Sequence, residues 1–419
     1  MIRIPKYTIG TGDRFGRQGE AQLGALSAAR SKGIEISPVW NKSYREHSII
    51  GTQPEDVRGE ADSAVSKLGW EAPYFVDADH INLKTVDAFL VSSDFFTLDV
   101  ADAIGANAGD GAIETFIKRR EALCGTFEVP GLDAPLRFSC DRLREIAGKY
   151  LFAVQEAGRI YRRIAEAKNS DTFVTEVSMD ETNNPQTPEE LFVILAMIAD
   201  AEIPAQTIAP RFSGRFNKGV DYVGDVEYFA REFRADLAVI ACAVREFGLP
   251  DCLKLSLHSG SDKFSIYPVI ADALRAYDAG LHVKTAGTTW LEELIGLAES
   301  GGDGLAIAVD VYRGALQRYQ ELAGPYAEVI DIDRALLPGG DEVAAWDGGR
   351  FAAALRHDSA CSDYNPNFRQ LLHIAYKLAA EMGNRYTDAI DLNRDVIARN
   401  VGENLLLRHI TPVFGKGEE

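Results

Sequence analysis

Four apolar runs in this 419-residue chain end on side chains that can hold a metal ion or an anion. They are PYFVDADH (Pro73–His80), DTFVTEVSMDE (Asp171–Glu181), CLKLSLHSGSDK (Cys252–Lys263) and HVKTAGTTW (His282–Trp290). An ionisable group that closes a buried run must be paired or ligated, because an isolated charge is too costly to bury. His80, Glu176 and His258 are therefore the first candidate set. Two imidazoles and a carboxylate suit a divalent cation such as zinc, nickel, cobalt or manganese, and leave positions open for substrate oxygens. A lone histidine is more often a satisfied core residue, but three donors in matching positions favour the metal. His282 is open between a fourth ligand and a core histidine. His47, His357 and His409 lack this context, and His373, inside the apolar LLHIAY, reads as structural.

The same ends supply other polar groups: Asp13, Arg14, Asn41, Asp79, Asp94, Asp99, Asp180, Arg211, Lys284 and Thr285. Asp79, Asp99 and Glu176 are the candidates for proton transfer. SGSDK offers Ser259, backbone N–H groups and Lys263 to an anionic or polyhydroxyl ligand. Arg211 and Lys284 can pair with a substrate carboxylate, the arginine as a bidentate fork. Asp13 joins them as a substrate-binding candidate. For each, an internal ion pair is the competing reading.

Strand ends converge on one site only if the strands share a sheet. Eight apolar runs alternate with amphipathic stretches: Tyr7–Asp13, Gly33–Trp40, Pro73–His80, Ala88–Phe96, Asp171–Asp180, Pro204–Phe212, Cys252–Gly260 and Leu281–Thr289. Near-continuous apolar strands separated by helices predict a parallel sheet covered on both faces. Eight such units predict an α/β fold, the TIM (β/α)8 barrel, whose functional side chains lie at the C-terminal strand ends. The third, fifth and seventh strands carry His80, Glu176 and His258, and alternate strands feed one layer. The catalytic barrel is expected over 1–304. An insertion at about 101–149, after the fourth strand, reads as either a pocket cover or surface decoration. A helical extension over 305–419 is expected to pack on the barrel, at a candidate homo-oligomer contact.

A net charge of −19 argues against a nucleic-acid partner, which would need clustered Lys and Arg. Five cysteines with no CxxC pair argue against a disulfide framework or thiolate zinc site. No run approaches the roughly 20 apolar residues of a membrane span. The expectation is a reduced, cytoplasmic protein acting on a small molecule. GTGDRFG lacks the spacing of a dinucleotide loop, and neither GxxxxGK[ST] nor GxSxG occurs.

LSLHSGSDK and VDADH resemble class II aldolases, in which a strand ends on a zinc-binding histidine before a glycine-rich loop. SSDFFTLDVAD resembles the stretch carrying their catalytic aspartate, which maps to Asp99 or Asp94. Over most of its length the chain looks more like the tagaturonate/fructuronate epimerase family. KYTIGTGDRFGRQGEAQL, PYFVDADHINLKTVDAF, TEVSMDET, LHSGSDKFSIYP and HVKTAGTTWLEEL carry that likeness. It implies a metal-dependent enzyme that inverts carbon 4 of a keto-hexuronate, interconverting D-tagaturonate and D-fructuronate.

Carbon 4 is not adjacent to the ketone, so its hydrogen is not acidified. Retro-aldol cleavage between carbons 3 and 4, rotation of the aldehyde and re-addition would invert it without a redox cofactor. That route assigns the metal to His80, Glu176 and His258, the base to Asp99 or Asp79, and substrate contacts to Lys284, Arg211, Ser259 and Lys263. The rivals are a class II aldolase or ketose isomerase on the same scaffold, and a non-catalytic sugar-acid-binding protein.

Overall fold

Eight parallel strands close into a ring. They are β1 (Tyr7–Thr11), β2 (Ser37–Ser43), β3 (Phe75–Ile81), β4 (Phe95–Asp99), β7 (Val174–Ser178), β8 (Thr207–Ala209), β9 (Lys254–His258) and β10 (Leu281–Lys284), while Gly125–Phe127 (β5) and Leu136–Phe138 (β6) form a separate hairpin. The ring order is β1-β10-β9-β8-β7-β4-β3-β2. The computed structural model describes residues 2–168, 172–182, 184–285 and 288–415. Asp171, Ala286 and Gly287, within two of the runs named above, and residues 416–419 of the expected extension lie outside them. The ring and its helices form the TIM-type barrel expected from the alternation of runs.

The fourth strand needs a correction. AFLVSS is a short turn and loop, and β4 begins only at Phe95. Asp94 marks the boundary: its carboxylate accepts the Val76 N–H at 2.7 Å and pairs with Arg58 at 2.7 Å. Asp94 thus lies at the N-terminal end of β4, away from the site, and Asp99 closes the strand. The sequence misleads because the apolar run is continuous across the turn. β2 likewise starts at Ser37, so Asn41 lies within it.

The strands alternate as pleating requires, with inward side chains two residues apart. On β3 the phase breaks. The register shifts between Ala78 and Ile81, and His80 has φ 50, a left-handed conformation rare for residues with a side chain. The extra residue lets Ala78 and Ile81 both face the outer core while Asp79 and His80 both face the mouth.

Residues 101–149 contain the helix Asp110–Arg119 and the β5–β6 hairpin. Phe127 and Phe138 of the hairpin pack on Phe192 of helix Pro188–Asp200, and the Tyr277 hydroxyl donates to the Gly131 carbonyl. The hairpin therefore lies on the outer helix layer rather than over the strand ends. Its pairing of Gly125 with Phe138 brings Cys124 and Cys140 to a Cα separation of 5.5 Å, where a disulfide joins them. The expectation of an unlinked set of thiols fails there, because hairpin register rather than sequence spacing creates the pair.

Helix Cys140–Ala167 follows. Ser139 caps it by accepting the Arg142 N–H at 3.0 Å, and Leu143, Ile146, Ala147, Tyr150, Val154, Ala157 and Ile164 repeat at helical spacing along its buried face. Burying one such Leu or Ile contributes about 1.5–3 kcal/mol. Ile146→Asp would detach this helix from the strands.

The chain after β10 builds a second core around Trp290, Tyr312, Phe351 and Phe368. Its end then returns to the barrel. Leu405, Ile410, Val413 and Phe414 belong to the barrel core, between helices Gly19–Ser31 and Tyr267–Tyr277. The C-terminal segment thus fills the last place in the helix layer. Among the described residues no helix is long and apolar enough to cross a membrane.

Candidate active site

The barrel interior is polar along its axis. Lys284, on β10, places its ammonium 2.7 Å from Asp77, 2.8 Å from Asp79 and 3.2 Å from Glu176, and also donates to Thr97. Thr97 Oγ1 lies 3.0 Å from both Asp77 oxygens and 3.1 Å from Glu176 Oε1. Thr207 donates to Glu176 Oε2 at 2.8 Å. Three carboxylates share one ammonium, so their other partners decide which keep a charge. Burial alone would raise Asp79 and Glu176. Lys284 reverses this for both, with His80 helping Asp79 and His258 helping Glu176, and holds them well below the usual carboxylate range. Asp77 has no imidazole. Burial dominates, and its carboxyl is pushed up to about 7 despite Lys284.

Above this layer each imidazole is held at one nitrogen by a carboxylate. His80 Nδ1 donates to Asp79 Oδ1 at 2.8 Å, and His258 Nε2 donates to Glu176 Oε1 at 2.8 Å. The opposite nitrogens, His80 Nε2 and His258 Nδ1, are buried, and Asp180 is the ionic partner they share among the described residues. Both face Asp180, whose Oδ1 lies 3.6 Å from the first and 3.1 Å from the second. Among the described residues His80, Asp180 and His258 are the group whose donor atoms all lie within 4.8 Å of one another. Burial would lower both imidazoles, but Asp79 and Asp180 raise His80 well above its ordinary value, and Asp180 and Glu176 raise His258. Asp180 itself is held low, His258 and His80 overcoming the effect of burial.

The structure therefore brings His80 and His258 together but puts Glu176 behind His258, on the nitrogen facing away from His80 Nε2 and Asp180. Asp180 occupies that place. Residues 176, 178 and 180 continue one inward phase, and the Ser178 hydroxyl donates to Asp180. That period was legible in TEVSMD. Asp180, further along this phase than Glu176, stands nearer the mouth. Asp99 continues the phase of Thr97 at the end of β4; its carboxylate accepts the Ala101 N–H at 3.1 Å, and like Arg211 it is not among the residues that line the pocket. Burial raises its pKa, with His80 and the Ala101 N–H opposing.

His282 lies a layer below. Its Nδ1 is 2.9 Å from Thr8 Oγ1, and burial pushes it down to about 3, so it is a neutral core histidine. Several expected substrate contacts serve the protein itself. Asp13 accepts the backbone N–H groups of Phe15 to Gln18, folding the turn after β1. Ser259 donates to the Lys284 carbonyl at 2.8 Å. Lys263 is buried and donates to the carbonyls of Asn217, Val220 and Asp262. Arg211 reaches the Asp180 carbonyl at 3.4 Å but does not line the pocket. Lys284 does line it, though its ammonium is occupied by the three carboxylates.

The pocket opens above His80, Asp180 and His258, and no described residue of 101–149 lines it. Its outer wall combines Arg14, Arg45 and Lys218 with Tyr326, His373 and Tyr376 of the C-terminal segment. Arg14 pairs with Glu46 and lies 4.9 Å from the Tyr376 ring centre, and the Tyr326 and Tyr376 hydroxyls are 3.2 Å apart. Apart from Arg14, at the end of the first strand, no local pattern marked these residues, because they reach the mouth from distant segments. What holds that segment in place is visible: buried Asp262, in the loop after His258, pairs with Arg369 at 2.7 Å, His357 at 3.0 Å and His409 at 3.1 Å.

Comparison with known proteins agrees with this architecture. The model of the tagaturonate epimerase family matches residues 2–390. The tagaturonate/fructuronate epimerase of Thermotoga maritima is 28% identical over 425 residues, spanning 98% of this chain and 81% of that one. A glycerol-complexed structure of the fructuronate-tagaturonate epimerase of Cohnella laeviribosi superposes with a TM-score of 0.80 at 25% identity, over 98% of this chain and 82% of that one. The native form gives 0.78 at 25% identity, over 99% and 82%. The chain belongs to the tagaturonate epimerase family and is an enzyme of the epimerase class.

Proposed function

We propose that this enzyme interconverts D-tagaturonate and D-fructuronate by cleaving and remaking the bond between carbons 3 and 4, with a divalent cation held by His80, Asp180 and His258. The family and both relatives support the substrate. The observation that carries the site is the pair of buried imidazole nitrogens converging on one carboxylate. Each imidazole is fixed by a carboxylate at its other nitrogen, the outer arrangement that orients histidine ligands. Two nitrogens and an oxygen suit zinc, nickel, cobalt or manganese. A bound cation would polarise the substrate ketone as a Lewis acid.

The chain's own groups carry the proton. Asp79 and Glu176 are engaged by imidazoles and Lys284; the base we assign is Asp99, at the end of β4 within the electrostatic reach of His80 and Asp180. Its raised pKa suits a group that both takes and returns a proton. Asp99 removes the carbon 4 hydroxyl proton. The bond between carbons 3 and 4 breaks, carbon 4 becomes an aldehyde, and the electron pair passes into an enediolate over carbons 2 and 3. After the aldehyde turns, the pair attacks its other face and Asp99 returns the proton to the carbon 4 oxygen. The pocket walls retain the fragments.

The test is direct. Metal-loaded protein given D-tagaturonate should produce D-fructuronate resonances by NMR, and given tartronate semialdehyde with dihydroxyacetone it should form hexuronate. Absence of epimer from the first incubation would overturn the activity. Absence of hexuronate from the second, with the first positive, would count against the cleavage route.

A further inference from the structure

The pocket has two electrostatically different sides. Its floor presents Asp79, Asp180 and Glu181, and Lys284 is already shared among three carboxylates. A sugar acid cannot direct its own carboxylate there without meeting like charge. Across the pocket Arg14 pairs with Glu46, whereas Lys218 has neither an ion pair nor a side-chain hydrogen bond among the described residues. Its backbone N–H is fixed by the Val329 carbonyl at 2.8 Å, so the C-terminal segment sets its position.

His373 lines the same side. It is 4% exposed, and its Nε2 makes no hydrogen bond. Burial, reinforced by Lys218 and Arg14, holds it well below its ordinary pKa, so it is neutral and uncharged beside these cations. Gly219, at φ 77, packs against it: a Cβ there would approach the His373 Cβ to 3.3 Å and the Arg369 carbonyl to 3.4 Å. Gly260, at φ 65, gives Lys218 room, since a Cβ there would lie 3.1 Å from Nζ. A free ammonium beside a buried unpartnered imidazole nitrogen is a donor pair for one carboxylate.

We infer that Lys218 and His373 form the subsite for the carboxylate of the sugar acid, so the C-terminal segment selects the acid while the strand ends hold the reacting carbons. This rests on the sugar-acid reading above. It makes the extension part of the specificity site.

The experiment is calorimetric titration of metal-loaded protein with D-galacturonate and with D-galactose, which differ only at carbon 6. The wild type should prefer the acid. Lys218→Ala should reduce that preference at least tenfold, with Lys218→Arg retaining most of it and His373→Ala losing several-fold more than His373→Gln. The same variants should raise KM for the keto-hexuronate far more than they lower kcat. Preference within twofold of wild type in Lys218→Ala, measured on protein with an unchanged melting temperature, would overturn the subsite. Loss of preference in Lys218→Ala from a wild type that fails to epimerise would sink the proposed activity and leave the subsite standing.

Discussion

Asp77→Asn should remove a pH dependence of stability that the wild type carries. The Asp77 carboxyl is 2% exposed and shares Lys284 with two carboxylates that each have an imidazole besides. Burial raises it from an ordinary 3.8 to about 7. A carboxyl with a raised folded-state pKa binds its proton more tightly folded than unfolded. It therefore stabilises the fold below about 3.8, and that contribution declines as pH rises through the window to about 7. At 1.36 kcal/mol per pKa unit, the shift corresponds to a change on the order of 4 kcal/mol across the window. Asparagine resembles the protonated form in shape and cannot ionise. Urea unfolding at pH 5 and pH 8 should then show the variant gaining about 2–3 kcal/mol relative to wild type at the higher pH, the part of the window those two values span. Parallel pH profiles for the two proteins would refute the reasoning, since they would mean that Asp77 ionises as easily folded as unfolded.

Three other outcomes follow from the same geometry. Glu176→Gln should weaken metal binding about 10–100-fold by loosening His258, read by competition with a chelating dye; unchanged affinity would remove Glu176 from that role. Asp99→Asn should lower turnover by about 10²–10⁴ with metal content unchanged, and near-normal turnover would move the base elsewhere. Arg369→Met should cost about 3–5 kcal/mol in urea unfolding, because it strands buried Asp262 without its main cation; a loss under about 1 kcal/mol would contradict that.

The barrel was legible because eight strands covered on both faces read as apolar runs. The legibility ended where one run crossed two elements: AFLVSSDFF reads as one strand, yet Asp94 stops the turn and starts β4. His80 and His258 were legible as strand ends. The bulge that turns His80 inward beside Asp79 was not, since nothing in FVDADHI marks the extra residue. Lys263 looked available because a lysine after a glycine-rich turn suggests an anion loop. The fold instead buries it among carbonyls of the segment carrying Lys218, and Lys218 takes the place at the pocket. Tyr326, His373 and Tyr376 reach the mouth only through tertiary packing of the C-terminal segment, for which no spacing rule exists. The Cys124–Cys140 pair depends in the same way on hairpin register.

The most direct measurement is the metal content and epimerase activity of the purified wild type, Asp180→Ala and His258→Ala, before and after chelation. The expected result is one divalent ion per wild-type chain, activity lost on chelation and restored by zinc, nickel, cobalt or manganese, and neither ion nor turnover in the variants. Full activity in the chelated wild type, or a His258→Ala protein that keeps both its ion and its turnover, would contradict it.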